Sequence, residues 1–316
     1  MAPTDRQALI AAIRELSEPL RTEPPQIEAQ LAPLPGIRAV LFGVYGTLLV
    51  SSAHAADAEA AFRAALAAAD WADLALPGGF RGADRLQQAS LGAQTRTSGD
   101  KVEYPEIEIR AIWAEVLAEL LGTKPSKVPK ERIERAAVEF ECRINPAWPM
   151  PGSTETIARL RTRGLTLGLV ADGQFFTPLV LEALLGEAPA KLGFDPDCTV
   201  YSYELGEAKP ATRLLDEALA GLEREQTILA DEVLYVGNDL RKDIWPATQL
   251  GCRTALFAGD ARSLRRHEND PALADVTPER ILTDLRQLND LLVEPTKKKP
   301  AAEIRDIGWS PDLDGD

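Results

Sequence analysis

The chain has 316 residues, about two domains' worth at roughly 150 residues each, and its 45% hydrophobic content is enough for a sizeable core. Its 49 Asp and Glu against 35 Lys and Arg leave a formal charge of -14, a surface that repels nucleic-acid phosphate and anionic membrane. Nucleic acid and membrane are therefore excluded as general partners, although one buried lysine can still dominate a pocket and hold a small anion. The three cysteines, Cys142, Cys198 and Cys252, are scattered and form no CxxC pair, which excludes a disulfide scaffold and fits a reducing cytoplasm. With His54 and His267 the only histidines, a His-rich metal site is excluded as well. Residues 1–30 lack a signal-peptide pattern, and no run of about 18 apolar residues occurs, so the expectation is a cytoplasmic globular protein.

In chain order, residues 4–20 predict an amphipathic helix, with Thr4 at its N-cap and Leu9, Ile10, Ile13 and Leu16 at helical spacing. Pro19, Pro24 and Pro25 break it, and residues 1–36 read as an N-terminal extension packed on the body, an oligomerisation arm being the alternative. Residues 37–42 are a short apolar run with the look of a buried strand, ending at Gly43 and feeding the turn Val44-Tyr45-Gly46-Thr47. Residues 51–148 show helical periodicity at 55–69, 106–121 and 130–142 and no comparable strand, which marks a separate helical subdomain. From Pro149 the pattern alternates: helix 154–163, strand 165–171, helix 177–185, strand 199–203, and a helix opened by Lys209-Pro210. Strand 233–236, helix 240–250, strand 253–257, strand 281–282 and helix 283–292 complete it. Alternation of this kind predicts an α/β fold: a Rossmann-like parallel sheet with helices on both faces, built from residues 37–50 and 149–292. Residues 293–316, with Lys297–Lys299 and an acidic end, read as a disordered tail.

Ligands of open α/β sheets bind at the carboxyl ends of the strands. Four such ends fall at Gly43–Thr47, Ala171–Gly173, Tyr203–Lys209 and Gly237–Asp243, while the glycine signatures of dinucleotide and P-loop sites are absent. At these ends the sequence resembles the haloacid dehalogenase superfamily over residues 37–292. Phe42-Gly43-Val44-Tyr45-Gly46-Thr47-Leu48 is similar to the first motif, and Leu169–Gly173 to the second. Glu204–Pro210 resembles the third, with Lys209 its lysine, and Val236–Asp243 the acidic fourth. The resemblance implies a HAD-like fold in which residues 51–148 are an inserted, all-helical cap.

In that family the first aspartate is the nucleophile, forming a covalent aspartyl intermediate, and here it is Gly43. The family's acid–base aspartate two residues on is Tyr45, and the second-motif hydroxyl is Ala171. Loss of a covalent nucleophile commonly costs several orders of magnitude in rate. The reading is therefore a catalytically impaired HAD-like protein that binds a small anionic molecule or a protein partner between core and cap. A phosphatase or haloacid dehalogenase-like hydrolase with another nucleophile is the alternative. Thr47, Asp172 and Lys209 are the expected ligand-binding residues. Asp239 and Asp243, one helical turn apart, share a face and are the residues for Mg²⁺, whose affinity should be weak without the first-motif carboxylate. Three carboxylates gathered around Lys209 are equally a salt-bridge network. His54 and His267 read as surface residues, and Trp113 and Trp245 as core. Tyr104-Pro105-Glu106-Ile107 resembles a cap segment near the site, Glu106 and Glu108 reading as helix-start charges.

Overall fold

A computed structural model describes residues 3–51, 57–97 and 102–293. His54 and the tail from residue 294, including Lys297–Lys299, lie outside the described residues. Helix α1 (Pro3–Leu16) leads through an extended connector to β1 (Ala39–Phe42) and β2 (Leu49–Ser51). Four helices follow, α2 (Ala58–Ala68), α3 (Gly82–Thr97), α4 (Ile109–Leu121) and α5 (Lys130–Ile144), before β3 (Ala147–Pro149) returns antiparallel to β2. Next come α6 (Ser153–Thr162), β4 (Thr166–Ala171), α7 (Thr177–Leu185), α8 (Pro189–Leu192), β5 (Phe194–Tyr201), α9 (Ser202–Leu205) and α10 (Arg213–Gln226). The fold is completed by β6 (Val233–Gly237), α11 (Trp245–Gln249), β7 (Arg253–Phe257), β8 (Arg280–Leu282) and α12 (Leu288–Leu291).

All four residues of β1 are apolar and buried, as a strand flanked on both sides requires. It pairs in parallel with β4 and β6, and the six-stranded sheet runs β5-β4-β1-β6-β7-β8, parallel throughout. Because β1, β4 and β6 are neighbours and point the same way, their carboxyl ends fall side by side, and the turn after β5 joins them. At that edge Gly46 has φ +80°, and an added Cβ would lie 2.6 Å from Asn238, so conformation and space both demand glycine. On the sheet's flank Gly221 lets α10 sit against β5, a Cβ there falling 1.8 Å from the Asp197 carbonyl oxygen.

Among the described residues the cap, inserted between β2 and β3, holds four α-helices. Its centre is aromatic: Phe62 stacks on Trp113 with centroids 5.4 Å apart, and Phe140 meets Trp113 edge-on at 5.7 Å. Asp57 caps α2 by accepting the amides of Glu59 and Ala60, and α4 ends on Gly122 at φ +60°. Helix α3 had no counterpart in the sequence reading, because among its sixteen residues only Gly82, Leu86 and Ala89 are buried.

Several expected boundaries move. Helix α1 starts at Pro3 and stops at Leu16, so Thr4 lies inside its first turn rather than at its cap. The strand expected at 199–203 is longer and earlier, Phe194–Tyr201. The helix after Lys209-Pro210 begins only at Arg213, beyond a turn holding the cis Lys209–Pro210 peptide. Residues 240–250 divide into a π-helical turn, Leu240–Ile244, and the short α11. Trp113 is core at 1% exposure, whereas Trp245 is half-buried and not part of it. No helix among the described residues is long and apolar enough to cross a membrane.

Replacing Gly221 by alanine should force α10 off β5, since the obstacle is backbone. The expected loss is about 1–3 kcal/mol in denaturant unfolding, the usual cost of overpacking, whereas Gly164→Ala, with open space around it, tests only the left-handed φ of its own turn.

Candidate functional site

The carboxyl edge of β1, β4 and β6 holds a recess of about 160 Å³, lined by Gly43, Val44, Tyr45, Ala171, Asp172, Lys209, Asn238, Asp239, Lys242 and Asp243. Its floor is a buried ion pair. The Lys209 ammonium, 10% exposed, donates to Asp243 Oδ1 at 2.5 Å, to the Tyr235 hydroxyl at 3.3 Å and to the Val170 carbonyl at 3.4 Å. Those three contacts use all three of its N–H donors. Burial alone would lower its pKa, but Asp243, Tyr235 and Asp172 outweigh burial and hold it charged well above the ordinary lysine range. Asp243 is equally engaged, accepting from Tyr235 at 3.2 Å on Oδ1 and from the Asp239 amide at 3.0 Å on Oδ2.

The three carboxylates expected around Lys209 are in fact divided among three partners, Lys209, Lys242 and His267. Asp243 takes the Lys209 ammonium. Asp172 accepts the Lys209 backbone amide at 2.8 Å and pairs with the Lys242 ammonium at 2.9 Å across the mouth of the recess. Asp239 caps the π-helical turn, accepting the amides of Arg241 and Lys242 at 2.8 and 2.9 Å, and lies 2.9 Å from His267 Nε2. His267 is therefore half-buried beside the site and not on the surface as expected. It arrives from a loop zipped onto the β6 edge by Arg265 N to Asn238 O and Leu240 N to Arg265 O. Thr47 is fully buried behind the recess, its hydroxyl donating to Asn238 Oδ1 at 3.2 Å, and it is not part of the lining.

Gly43 stands at the centre of this edge with no side chain. Its φ is outside the left-handed region, and a Cβ there would meet nothing closer than the Thr47 hydroxyl oxygen at 3.2 Å. Backbone conformation therefore does not require glycine at this position, whereas a side chain there would need the buried Thr47 hydroxyl to give by a few tenths of an ångström. Tyr45 does not supply the missing acid–base function: its hydroxyl is buried, with Glu141, Cys142, Thr177 and Tyr201 as polar neighbours. Burial first and Glu141 second hold that phenol protonated far above its ordinary range. Ala171 closes the end of β4 with a methyl group.

The Mg²⁺ implied by the resemblance does not fit these donors. Gly43 offers no carboxylate, both oxygens of Asp243 are committed to Lys209, Tyr235 and the Asp239 amide, and Asp239 Oδ1 is taken by two amides and His267. Among the described residues no three metal-ligating side chains converge.

The cap closes over the recess through the segment 104–109. Ala208 N donates to Tyr104 O at 2.8 Å and Glu106 N to Gly206 O at 3.1 Å. Glu106 accepts the Ser202 hydroxyl at 2.7 Å and Gln174 Nε2 at 3.3 Å, while Gln174 Oε1 accepts the Ile109 amide. Glu106 is thus a latch between cap and core, in contrast to Glu108, which caps α4 as expected. Outside the latch an outer cavity of about 470 Å³ adjoins the recess, with Gln94, Glu103 and Tyr104 on the cap side and Lys209, Arg241, Lys242 and His267 on the core side.

The fold and this edge together define a Rossmann-like, capped hydrolase architecture. A family profile described as haloacid dehalogenase-like hydrolase matches residues 37–251, and the chain belongs to that family. A glyceraldehyde 3-phosphate phosphatase of Methanothermobacter thermautotrophicus is 30% identical over 146 residues, 46% of this chain and 58% of the relative. A ribulose-1,5-bisphosphate 5-phosphatase of Halopiger xanaduensis is 28% identical over 145 residues, 45% of this chain and 56% of the relative. The chain therefore spans little more than half the length of these curated relatives. Among solved structures, a 2-haloacid dehalogenase from Pseudomonas syringae superposes with a TM-score of 0.51 at 20% identity, over 81% of this chain and 97% of that one, a likeness of fold.

Two outcomes follow from the geometry. Lys209→Met strands the Asp243 carboxylate in a buried site and should cost about 3–5 kcal/mol in denaturant unfolding, whereas Lys209→Met with Asp243→Leu recovers most of it. Burial raises the Glu106 carboxyl above the usual range. An acid whose folded pKa is raised stabilises the fold while protonated, and that contribution is lost as pH rises through the raised value. Thermal unfolding from pH 4 upward should therefore show a decline that is absent in Glu106→Gln.

Proposed function

We propose that this chain binds a small phosphate monoester in the cleft between core and cap and does not transfer the phosphoryl group to itself. The observation that carries this reading is Gly43: the strand end where the family places its nucleophile has no side chain, and its φ lies outside the region that favours glycine. The phosphatase relatives support a phosphate ester as the ligand class. Charge supports an outer placement of the anion. The recess holds three carboxylates against two ammonium groups, whereas the outer cavity presents Lys209, Arg241 and Lys242 against Glu103 and Asp239. Lys209 has no N–H to spare, so Lys242, half-exposed and able to leave Asp172, is the group we assign to the phosphate.

The alternative, hydrolysis by another nucleophile, has one observation in its favour. Ser202 Oγ lies at the neighbouring strand end, donating to Glu106 and accepting the Gly173 amide at 2.9 Å. Against it, Ser202 is fully buried beneath the latch.

Calorimetric titration with glyceraldehyde 3-phosphate, run beside a phosphate-release assay, tests the proposal. The expected result is binding without release, weakened about tenfold or more in Lys242→Gln, the worth of a charge-assisted hydrogen bond. Sustained phosphate release by the parent protein, or no binding at all, would overturn it.

A further inference from the structure

Helix α1 lies outside the residues that match the family, yet it touches both the cap and the core. Its apolar face, Leu9, Ile10, Ala12 and Ile13, is buried to between 1 and 4% exposure, packed at once on α5 of the cap and α7 of the core. Two arginines fix it to α7: Arg6 pairs with Glu182, and Arg14 Nε donates to the Ala183 carbonyl at 3.1 Å. The connector that follows is tied to the core in turn, with Glu23 N on Asp260 Oδ1 at 2.7 Å and Gln30 N on Ile281 O at 2.8 Å.

The position of this contact gives it meaning. Cap and core are joined covalently through the β2–β3 ribbon, Leu49–Ser51 against Ala147–Pro149. Ile13 and Ser17 reach the root of that ribbon, where they surround a void of about 10 Å³ with Tyr45, Cys142 and Ala147. Swinging the cap about the ribbon moves α5 relative to α7. Because α1 is packed on both, it must then shed one of its two apolar contacts, and burial of apolar surface opposes that.

We propose that α1 is a strap that braces the hinge and holds the cap shut on the core, so that opening the cleft requires α1 to loosen. The strap uses contacts separate from those of the Glu106 latch, and it does not depend on what the cleft binds. Closure would then be a property of this chain's own N-terminal extension, and any factor that peels α1 away would raise access to the cleft.

Backbone amides that cross the cleft report opening directly: Glu106 N to Gly206 O, and Ala208 N to Tyr104 O. Hydrogen exchange of the full-length chain, read by mass spectrometry or NMR, would compare the parent with Arg6→Ala/Arg14→Ala and, separately, with Ile13→Ala. The amides of β4 serve as the control for global unfolding. The expected result is that the cross-cleft amides exchange about tenfold faster or more in both variants while β4 is unchanged, the signature of a sub-global opening. Unchanged cross-cleft exchange in both variants would overturn the proposal. So would an equal acceleration in β4, which would make α1 a general stabiliser rather than a strap.

Discussion

The interaction on which the rest of this edge depends is the contact of Lys209 with Asp243 beneath Gly43. It joins the loop after β5 to the π-helical turn after β6, and Tyr235 and the Val170 carbonyl complete its hydrogen bonding from β6 and β4. Three strand ends are thereby tied to one ammonium group. A buried ion pair contributes little net stability compared with an apolar pair of the same shape, but removing one member is costly. Its value here is positional: it fixes the floor of the recess and sets the register of Asp239 and Lys242 above it.

With that floor in place, the chemistry of the site follows from what surrounds Gly43. In a covalent mechanism the nucleophile must lie on the reacting atom, and each carboxylate lining this recess already holds a hydrogen-bonded partner. Lys209 is saturated, Asp243 is spent on it, Asp239 is committed to a helix cap and to His267, and the Tyr45 hydroxyl is turned into the packing beneath the cap. Further out, the cationic side chains Arg241 and Lys242 line the outer cavity, each in an ion pair, with Asp270 and Asp172 respectively. On the proposed reading, these side chains would receive the anion at the cleft mouth.

The sequence made the core legible because its strands are short apolar runs bounded by turns, and the four strand ends could be placed at one edge from alternation alone. Three of the four cap helices were legible from their apolar periodicity. Helix α3 was not, since its buried face is only Gly82, Leu86 and Ala89, and the β2–β3 ribbon was not, since two three-residue strands a hundred residues apart leave no local pattern. At the site, spacing showed which charged residues gather but not how they pair. The split of Asp172, Asp239 and Asp243 among Lys242, His267 and Lys209 depends on tertiary geometry, and His267 comes from a loop 28 residues after Asp239. Tyr235, read only as a strand residue, proved to be the third member of the Lys209 contact. Glu106 looked like a helix-start charge because Glu108, two residues later, is one.

The central claim is that the end of β1 cannot be phosphorylated. Intact-mass spectrometry of protein acid-quenched after mixing with a reactive phosphate monoester, on the parent and on Gly43→Asp/Ala171→Ser, tests it most directly. The account predicts no phosphoryl adduct on the parent and an adduct confined to residue 43 in the variant. A phosphoryl adduct on any residue of the parent's cleft would contradict it.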